Sequence, residues 1–222
     1  MKRWISILIL LVFALFLTAC GAQSGGQTAA PTNTPAQESS ATVSGSSEKK
    51  MLIVYFAPSN SDTVDAVSSA TPRTNGIAST QYVAELIRAQ TGADIAPIVP
   101  AEAYPLPYKD AADYAKQEQN DDARPAFTQD ANPEDYDVIV IGYPIWWYHL
   151  PMILRTFFDT YDFTGKTIVP FNTHAGSRDG GTYREIAELE PGATVTEGLA
   201  VSGDKARGAE SAVRDWLSGL GY

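Results

Sequence analysis

Thiols and imidazoles are nearly missing from this chain, whose 222 residues hold one cysteine and two histidines. The cysteine is Cys20, so residues 51–222 contain none, and disulfides, thiolate metal sites and cysteine nucleophiles are excluded there. His149 and His174 alone argue against a histidine-built metal site. Basic residues are also short: 16 Lys and Arg face 26 Asp and Glu, for a net charge of −10. Such a chain repels phosphate polymers, so nucleic acid is not expected as a partner. No repeat at solenoid periods is visible. Long apolar runs are scarce as well, and the longest, Ile5 to Leu17, is interrupted only by Ser6.

That run is thirteen residues long. As a helix at about 1.5 Å per residue it covers about 20 Å, short of the ~30 Å hydrocarbon core. Lys2 and Arg3 precede it and the small pair Thr18-Ala19 follows, the pattern of a secretory signal peptide. Leu17-Thr18-Ala19-Cys20 resembles the bacterial lipobox. The resemblance implies a lipoprotein signal peptide over 1–19, lipidation of Cys20, and Cys20 as the first mature residue. Two acyl chains on one residue meet the requirement for stable anchoring. The alternative is an uncleaved N-terminal anchor with an incidental cysteine. Either way the globular part is expected to be extracytoplasmic and tethered to the bacterial cell membrane.

Residues 20–50 are rich in Ser, Thr, Gln, Ala, Gly and Pro with almost no large apolar side chains. They cannot offset the entropy of ordering themselves and are expected to be a disordered linker. A flexible coil of this length reaches on the order of 30 Å. The remaining stretch, 51–222, is 172 residues, enough for one domain with its own core. Loss of Lys2 and Arg3 with the signal takes the net charge to −12.

Along that domain, apolar β-rich runs alternate with amphipathic ones. "KMLIVYFA" at 50–57 reads as a buried strand, and "STQYVAELIRAQTG" as a helix, with Ser79 or Thr80 able to cap its start and Gly92 ending it. "ADIAPIVP" is a second strand, "KDAADYAKQEQND" a polar surface helix, and Val138 to Ile141 a buried central strand. "PMILRTFFDTYD" is a helix beginning near Pro151. "GKTIVPFNT" is a fourth strand, "GGTYREIAELEPG" a helix, "ATVTEGLAVSG" a fifth strand, and "KARGAESAVRDWLSGLGY" the last helix. Alternation of this kind means a doubly wound α/β domain with a parallel sheet. Its ligand site lies beyond the carboxyl ends of the strands, in the segments 57–80, 143–149 and 173–181.

The most specific of these segments is "GYPIWWYHLP" at 142–151, which is expected to gather Tyr143, Trp146, Trp147 and Tyr148 in a loop. Such aromatics suit either an interaction surface or lid, or a pocket for a planar ligand. Here the chain resembles the flavodoxin family, and within it the flavodoxin-like branch with G-Y-P-I-W-W after the third strand and T-H-x-G-S after the fourth. Both motifs are present, as Gly142 to Trp147 and as Thr173-His174-Ala175-Gly176-Ser177. The resemblance runs in order from Leu52 to the final helix. It implies a five-stranded parallel sheet of order 2-1-3-4-5 and FMN as cofactor. Pro144, Ile145, Trp146 and Trp147 would flank the isoalloxazine, and Thr173, His174, Gly176 and Ser177 would line its other side.

The phosphate loop departs from the family pattern. Ala57 stands where serine is usual, an insertion spans 58–77, and Ala78-Ser79-Thr80 replaces G-N-T. Ser79 and Thr80 still offer hydroxyls at a helix start, whose N–H groups bind phosphate without a lysine, and Asn75-Gly76 gives a permissive turn. His174 reads either as a loop residue bonded to its neighbours or as a proton donor to flavin or substrate. The resemblance thus implies a membrane-tethered FMN-binding electron-transfer protein, whose redox partner would carry a basic patch to suit the negative field. An FMN-dependent reductase of quinones or similar acceptors is the alternative enzyme reading. A flavodoxin-fold binding module without cofactor is the alternative outside redox chemistry.

Overall fold

The computed structural model describes residues 49–58, 73–74, 77–105 and 108–222. Cys20, the signal segment, the linker up to residue 48, and most of the 58–77 insertion with Asn75-Gly76 lie outside the described residues. Among the described residues no helix is long and apolar enough to cross a membrane.

Each expected strand forms. The elements in order are β1 Met51–Phe56, a short antiparallel hairpin of β2 Arg73–Thr74 and β3 Ile77–Ala78, α1 Ser79–Thr91, and β4 Asp94–Pro100. Next come α2 Tyr108–Asn120, β5 Phe127–Thr128, β6 Val138–Pro144, α3 Met152–Thr160 and β7 Thr167–His174. The chain ends with α4 Thr182–Leu189, β8 Thr194–Val195, β9 Leu199–Ser202 and α5 Glu210–Leu220. β4, β1, β6 and β7 are parallel neighbours in that order, and β8 and β9 both pair with the outer side of β7. This is the expected 2-1-3-4-5 order, with the fifth strand in two pieces and an antiparallel edge strand, β5, added beside β4.

The split in the fifth strand has a local cause. β8 pairs with Thr167 and Ile168, β9 with Phe171 to His174, and Pro170, which has no N–H to give a ladder, lies between. Opposite the break, a Cβ on Gly198 would fall 2.4 Å from the Tyr183 ring and 2.8 Å from the Pro170 carbonyl oxygen. The chain bows here, and only glycine fits. The last helix is likewise shorter than its sequence pattern: Gly203–Gly208 forms a 3₁₀ segment before α5 begins.

Alternation along β1 sorts the core into two layers. Leu52, Val54 and Phe56 join Ile139, Ile141 and Tyr143 of β6 beneath Ala111 and Ala115 of α2 and Ile153, Leu154 and Phe157 of α3. Ile53 and Tyr55 face the other way, onto Val83, Ala84 and Ile87 of α1 and Val213 and Leu217 of α5. Val83 and Ile87, four apart, are fully buried, each contributing about 1.5–3 kcal/mol of hydrophobic stabilisation. α1 ends as expected, with Gly92 left-handed at φ 69° and its N–H on the Arg88 carbonyl.

Its start differs from the sequence reading. Ala78 is the N-cap, in extended conformation, and Ser79 and Thr80 are the first two helical residues, with no side chain capping the helix among the described residues. Both hydroxyls are turned inward because both residues are fully buried against the sheet end.

Candidate functional site

The carboxyl ends of β1, β6 and β7 converge on α1, and the chain leaving β6 makes the sharpest feature there. Gly142 lets this strand lie against its neighbour: a Cβ would fall 2.0 Å from the Phe171 ring. Ile145 N–H then donates to the Thr173 carbonyl at 2.9 Å, tying the third-strand loop to the fourth-strand end. Trp146 N–H donates to the His149 carbonyl (3.1 Å) and His149 N–H to the Trp146 carbonyl (2.9 Å). The two residues enclosed, Trp147 and Tyr148, have φ of 49° and 67°. That is the φ pattern of a type I′ turn, where Asn-Gly is usual; two aromatic residues there hold strain of order 1–3 kcal/mol each.

Neighbours hold the turn in place. Gln119 Nε2 donates to the Trp146 carbonyl (2.8 Å) and Trp147 Nε1 to the Ala112 carbonyl (3.0 Å), both on α2. Lys116 lies 5.6 Å from the Trp147 ring centroid, a cation–π distance. Trp147 is 44% exposed and Tyr148 69%, whereas Trp146 is 1% exposed. Trp146 therefore belongs to the core: its ring meets Phe56 and Tyr104 edge-on, each at 5.1 Å. The "loop of four aromatics" is two buried anchors, Tyr143 and Trp146, carrying two exposed rings. Pro144 and Ile145 are buried beside them.

Across from the turn stands the loop after β7. Gly176, Arg178, Gly180 and Gly181 all have positive φ, and a Cβ on Gly180 would lie 3.0 Å from the Tyr148 carbonyl oxygen. The close approach of the two loops thus depends on glycine. Tyr143 Oη and Thr182 Oγ1 share a 2.8 Å hydrogen bond, and Asn172 Nδ2 donates to the Arg178 carbonyl. Glu185 of α4 accepts from Arg155 of α3 and lies 3.7 Å from His149 Nδ1. Sequence reading missed this brace; its only trace is a glutamate on a short helix otherwise read as packing.

His174 is buried at the end of β7, and its Nδ1 accepts from Gly176 N–H at 3.0 Å. Burial, followed by the Arg178 charge, holds its pKa below the ordinary imidazole value. The accepting Nδ1 assigns a neutral ring that shapes its own loop. Ser177 is half-buried and its carbonyl accepts from Gly180 N–H, while Gly176 is exposed. Beside this loop a cavity of about 670 Å³ is lined by His174, Arg178, Tyr183, Glu197, Ser202 and Lys205.

At the head of α1, Thr80 Oγ1 lies 2.7 Å from Thr173 Oγ1, and Ser79 Oγ donates to the Gly203 carbonyl at 3.3 Å. Thr80 and Thr173, 93 residues apart, are therefore direct partners that fasten α1 to β7. No acidic residue stands in the first turn of α1. Among the described residues no group of three His, Cys, Asp or Glu could hold a metal ion.

A doubly wound sheet of this order, with a glycine loop and an aromatic turn meeting at its switch point, defines the flavodoxin-type α/β proteins. The sequence-family model Flavodoxin matches residues 50–220, and the chain belongs to the flavodoxin family. It is similar to a Bacteroides eggerthii crystal structure assigned to the flavoproteins, at 31% identity over 79% of this chain and 99% of that one, TM-score 0.62. A second such structure, from Bacteroides uniformis, is 28% identical over 77% of this chain and 98% of that one, TM-score 0.59. A Lactobacillus acidophilus flavoprotein solved in complex with FMN shares the fold at 20% identity, over 72% of this chain and 98% of that one, TM-score 0.54. No curated protein matches the chain.

Proposed function

We propose that the domain binds FMN and acts as an electron-transfer protein held at the outer face of a bacterial membrane by lipid on Cys20. One observation carries the cofactor reading: the exposed Trp147–Tyr148 turn, held in strained backbone so close to the glycine loop that a Cβ on Gly180 would crowd the Tyr148 carbonyl oxygen. Strain of this sort persists where a ligand clamp over-determines it.

The residues present fit the group. The exposed Trp147 and Tyr148 rings, backed by Pro144 and Ile145, would hold a planar ring system, and Thr173, His174, Gly176 and Ser177 would bound it from the other loop. The head of α1, without side-chain cap or first-turn carboxylate among the described residues, would take the phosphate through backbone N–H groups. Because the Ser79 and Thr80 hydroxyls are buried and spent on Gly203 and Thr173, their role is to set that helix end in place. Bound FMN supplies reversible one- and two-electron transfer; the chain supplies position and field. A neutral His174 and a negative overall charge resist added negative charge at the ring, as suits a carrier delivering electrons onward.

The cavity of about 670 Å³ beside His174 supports a second reading, a reductase of quinones or similar acceptors, since it has room for a small acceptor next to the ring-binding loop. The absorption spectrum of the purified protein, with the released flavin identified, tests the cofactor: FMN released in unit stoichiometry supports the proposal, and a colourless protein that takes up no FMN overturns it.

A further inference from the structure

On the far side of α2 from Trp147 there is a cavity of about 380 Å³, which the flavin reading does not use. It lies between the 101–104 segment that leaves β4, the outer face of α2, and the 123–126 segment that leads to β5. Tyr104 and Tyr114 form two of its walls, with ring centroids 5.7 Å apart and planes at 85°. Glu118 lies at the base, 6% exposed, and accepts a hydrogen bond from Tyr104 Oη at 3.3 Å. Glu102 and Asp121 complete the acidic lining. The one cation in the lining, Arg124, is committed elsewhere, to Asp122 and Asp159.

We infer that this cavity is a binding site for a small alkylammonium ligand, with the cationic head against Glu118 and the Tyr104 and Tyr114 rings around its alkyl part. Perpendicular aromatic walls over a carboxylate are the chemistry that recognises organic cations: ring faces attract the charge, and the apolar substituents lose water against them. An anion would meet three carboxylates and no uncommitted cation in the described lining. Burial disfavours the Glu118 carboxylate, and a cationic guest, unlike a neutral one, supplies the counter-charge that steadies its ionised form. The volume is at the lower end of small-molecule sites, which restricts the guest to a compact amine. Burial, followed by the charges of Glu118 and Glu102, raises the Tyr114 pKa, in agreement with two carboxylates facing the same space. The site is independent of the flavin reading and stands or falls without it.

Calorimetric titration of the full-length protein in neutral detergent tests it, at fixed ionic strength, with n-butylammonium and tetramethylammonium chlorides against sodium acetate and n-pentanol. The expected result is saturable binding of at least one ammonium, one per chain, with none for acetate or pentanol. Glu118→Gln, which keeps shape and the Tyr104 partner, should weaken the ammonium by about tenfold or more. Tyr114→Ala, at a partly exposed position that does not threaten the core, should weaken it several-fold. No saturation by either ammonium overturns the inference. So does equal binding of pentanol, or undiminished affinity in Glu118→Gln.

Discussion

Trp146 and His149 exchange two backbone hydrogen bonds around a turn whose tip is Trp147-Tyr148, both left-handed. A fully buried indole thereby fixes where two exposed rings stand. The division of labour predicts opposite outcomes for adjacent residues. Trp147→Ala should fold and lose FMN affinity by about 1–3 kcal/mol, from lost ring contact and burial. Trp146→Ala should instead destabilise the domain by about 3–5 kcal/mol through a core cavity beside Phe56 and Tyr104. Tyr148→Gly relieves the strained φ of 67° and should raise apoprotein stability by about 1 kcal/mol while weakening FMN. Denaturant melts of the apoprotein beside flavin-fluorescence titrations separate the three. Tighter FMN in Tyr148→Gly would show that the turn is not a clamp.

Thr80 and Thr173 predict a stability effect where the motif alone suggests a ligand effect. Thr80→Ala leaves the fully buried Thr173 hydroxyl without its 2.7 Å partner and should cost about 1–3 kcal/mol. Thr80→Ser keeps the bond and should cost little. On the proposed site, where backbone N–H groups at the head of α1 would take the phosphate, the preference for FMN over riboflavin should survive Thr80→Ser unchanged. Paired titrations of the two flavins check this, and equal affinities in the unmodified protein would remove the phosphate site altogether.

Much of this architecture is legible in the residues and some of it is not. The strands were readable as short apolar runs, as with Val138 to Ile141 after Asp137, although β6 runs on through Gly142 to Pro144, beyond the glycine that reads as its end. The two loops of the candidate site could be picked out because their motifs are long. Inward and outward aromatics in "YPIWWYH" were not, because the turn is fixed by the Trp146–His149 pairing and carries no Asn or Gly to announce it. The break between β8 and β9 depends on Gly198 meeting Tyr183, and the Thr80 partner is supplied from β7, so both are tertiary facts. Glu118 sits in a helix of polar composition, yet the returning 123–126 segment and Tyr104 bury it.

Glu118 also predicts a pH dependence. Burial, partly countered by the Tyr104 hydrogen bond, pushes its pKa up to about 7, and burial with nearby Asp162 and Asp159 does the same for Glu190. A carboxyl with a folded pKa above its unfolded value keeps its proton longer in the native state. Stability from these groups is therefore full below about pH 4.5 and is lost as pH rises towards and past 7. Glu118→Gln removes its share, so the melting-temperature difference between variant and parent should grow in the variant's favour from pH 5 to pH 8. A difference independent of pH would show that Glu118 titrates normally.

Cys20→Ser tests the tether. If lipid on Cys20 is the anchor, the variant should leave the membrane pellet after a salt wash, since no other thiol exists in the chain. Retention in the pellet would assign anchoring to the apolar segment Ile5 to Leu17.

Direct oxidation of NADPH by the FMN-loaded protein should be slow, with electrons arriving from a partner. The chain contains no G-x-G-x-x-G after a strand that would hold a second dinucleotide. Its net charge of −10 slows encounter with a polyanionic nucleotide. An extracytoplasmic tether would also keep it from the cytoplasmic nicotinamide pool. The same field favours a partner with a basic patch, whose association should slow as salt screens the charges within a Debye length of about 8–10 Å. Anaerobic stopped-flow against NADPH and NADH decides. Rapid, saturable bleaching by either nucleotide would promote the reductase reading and direct attention to the cavity beside His174, whose lining sets Arg178 and Lys205 against Asp179 and Glu197. Bleaching that requires an added reductase, and slows with salt, is what the carrier reading demands.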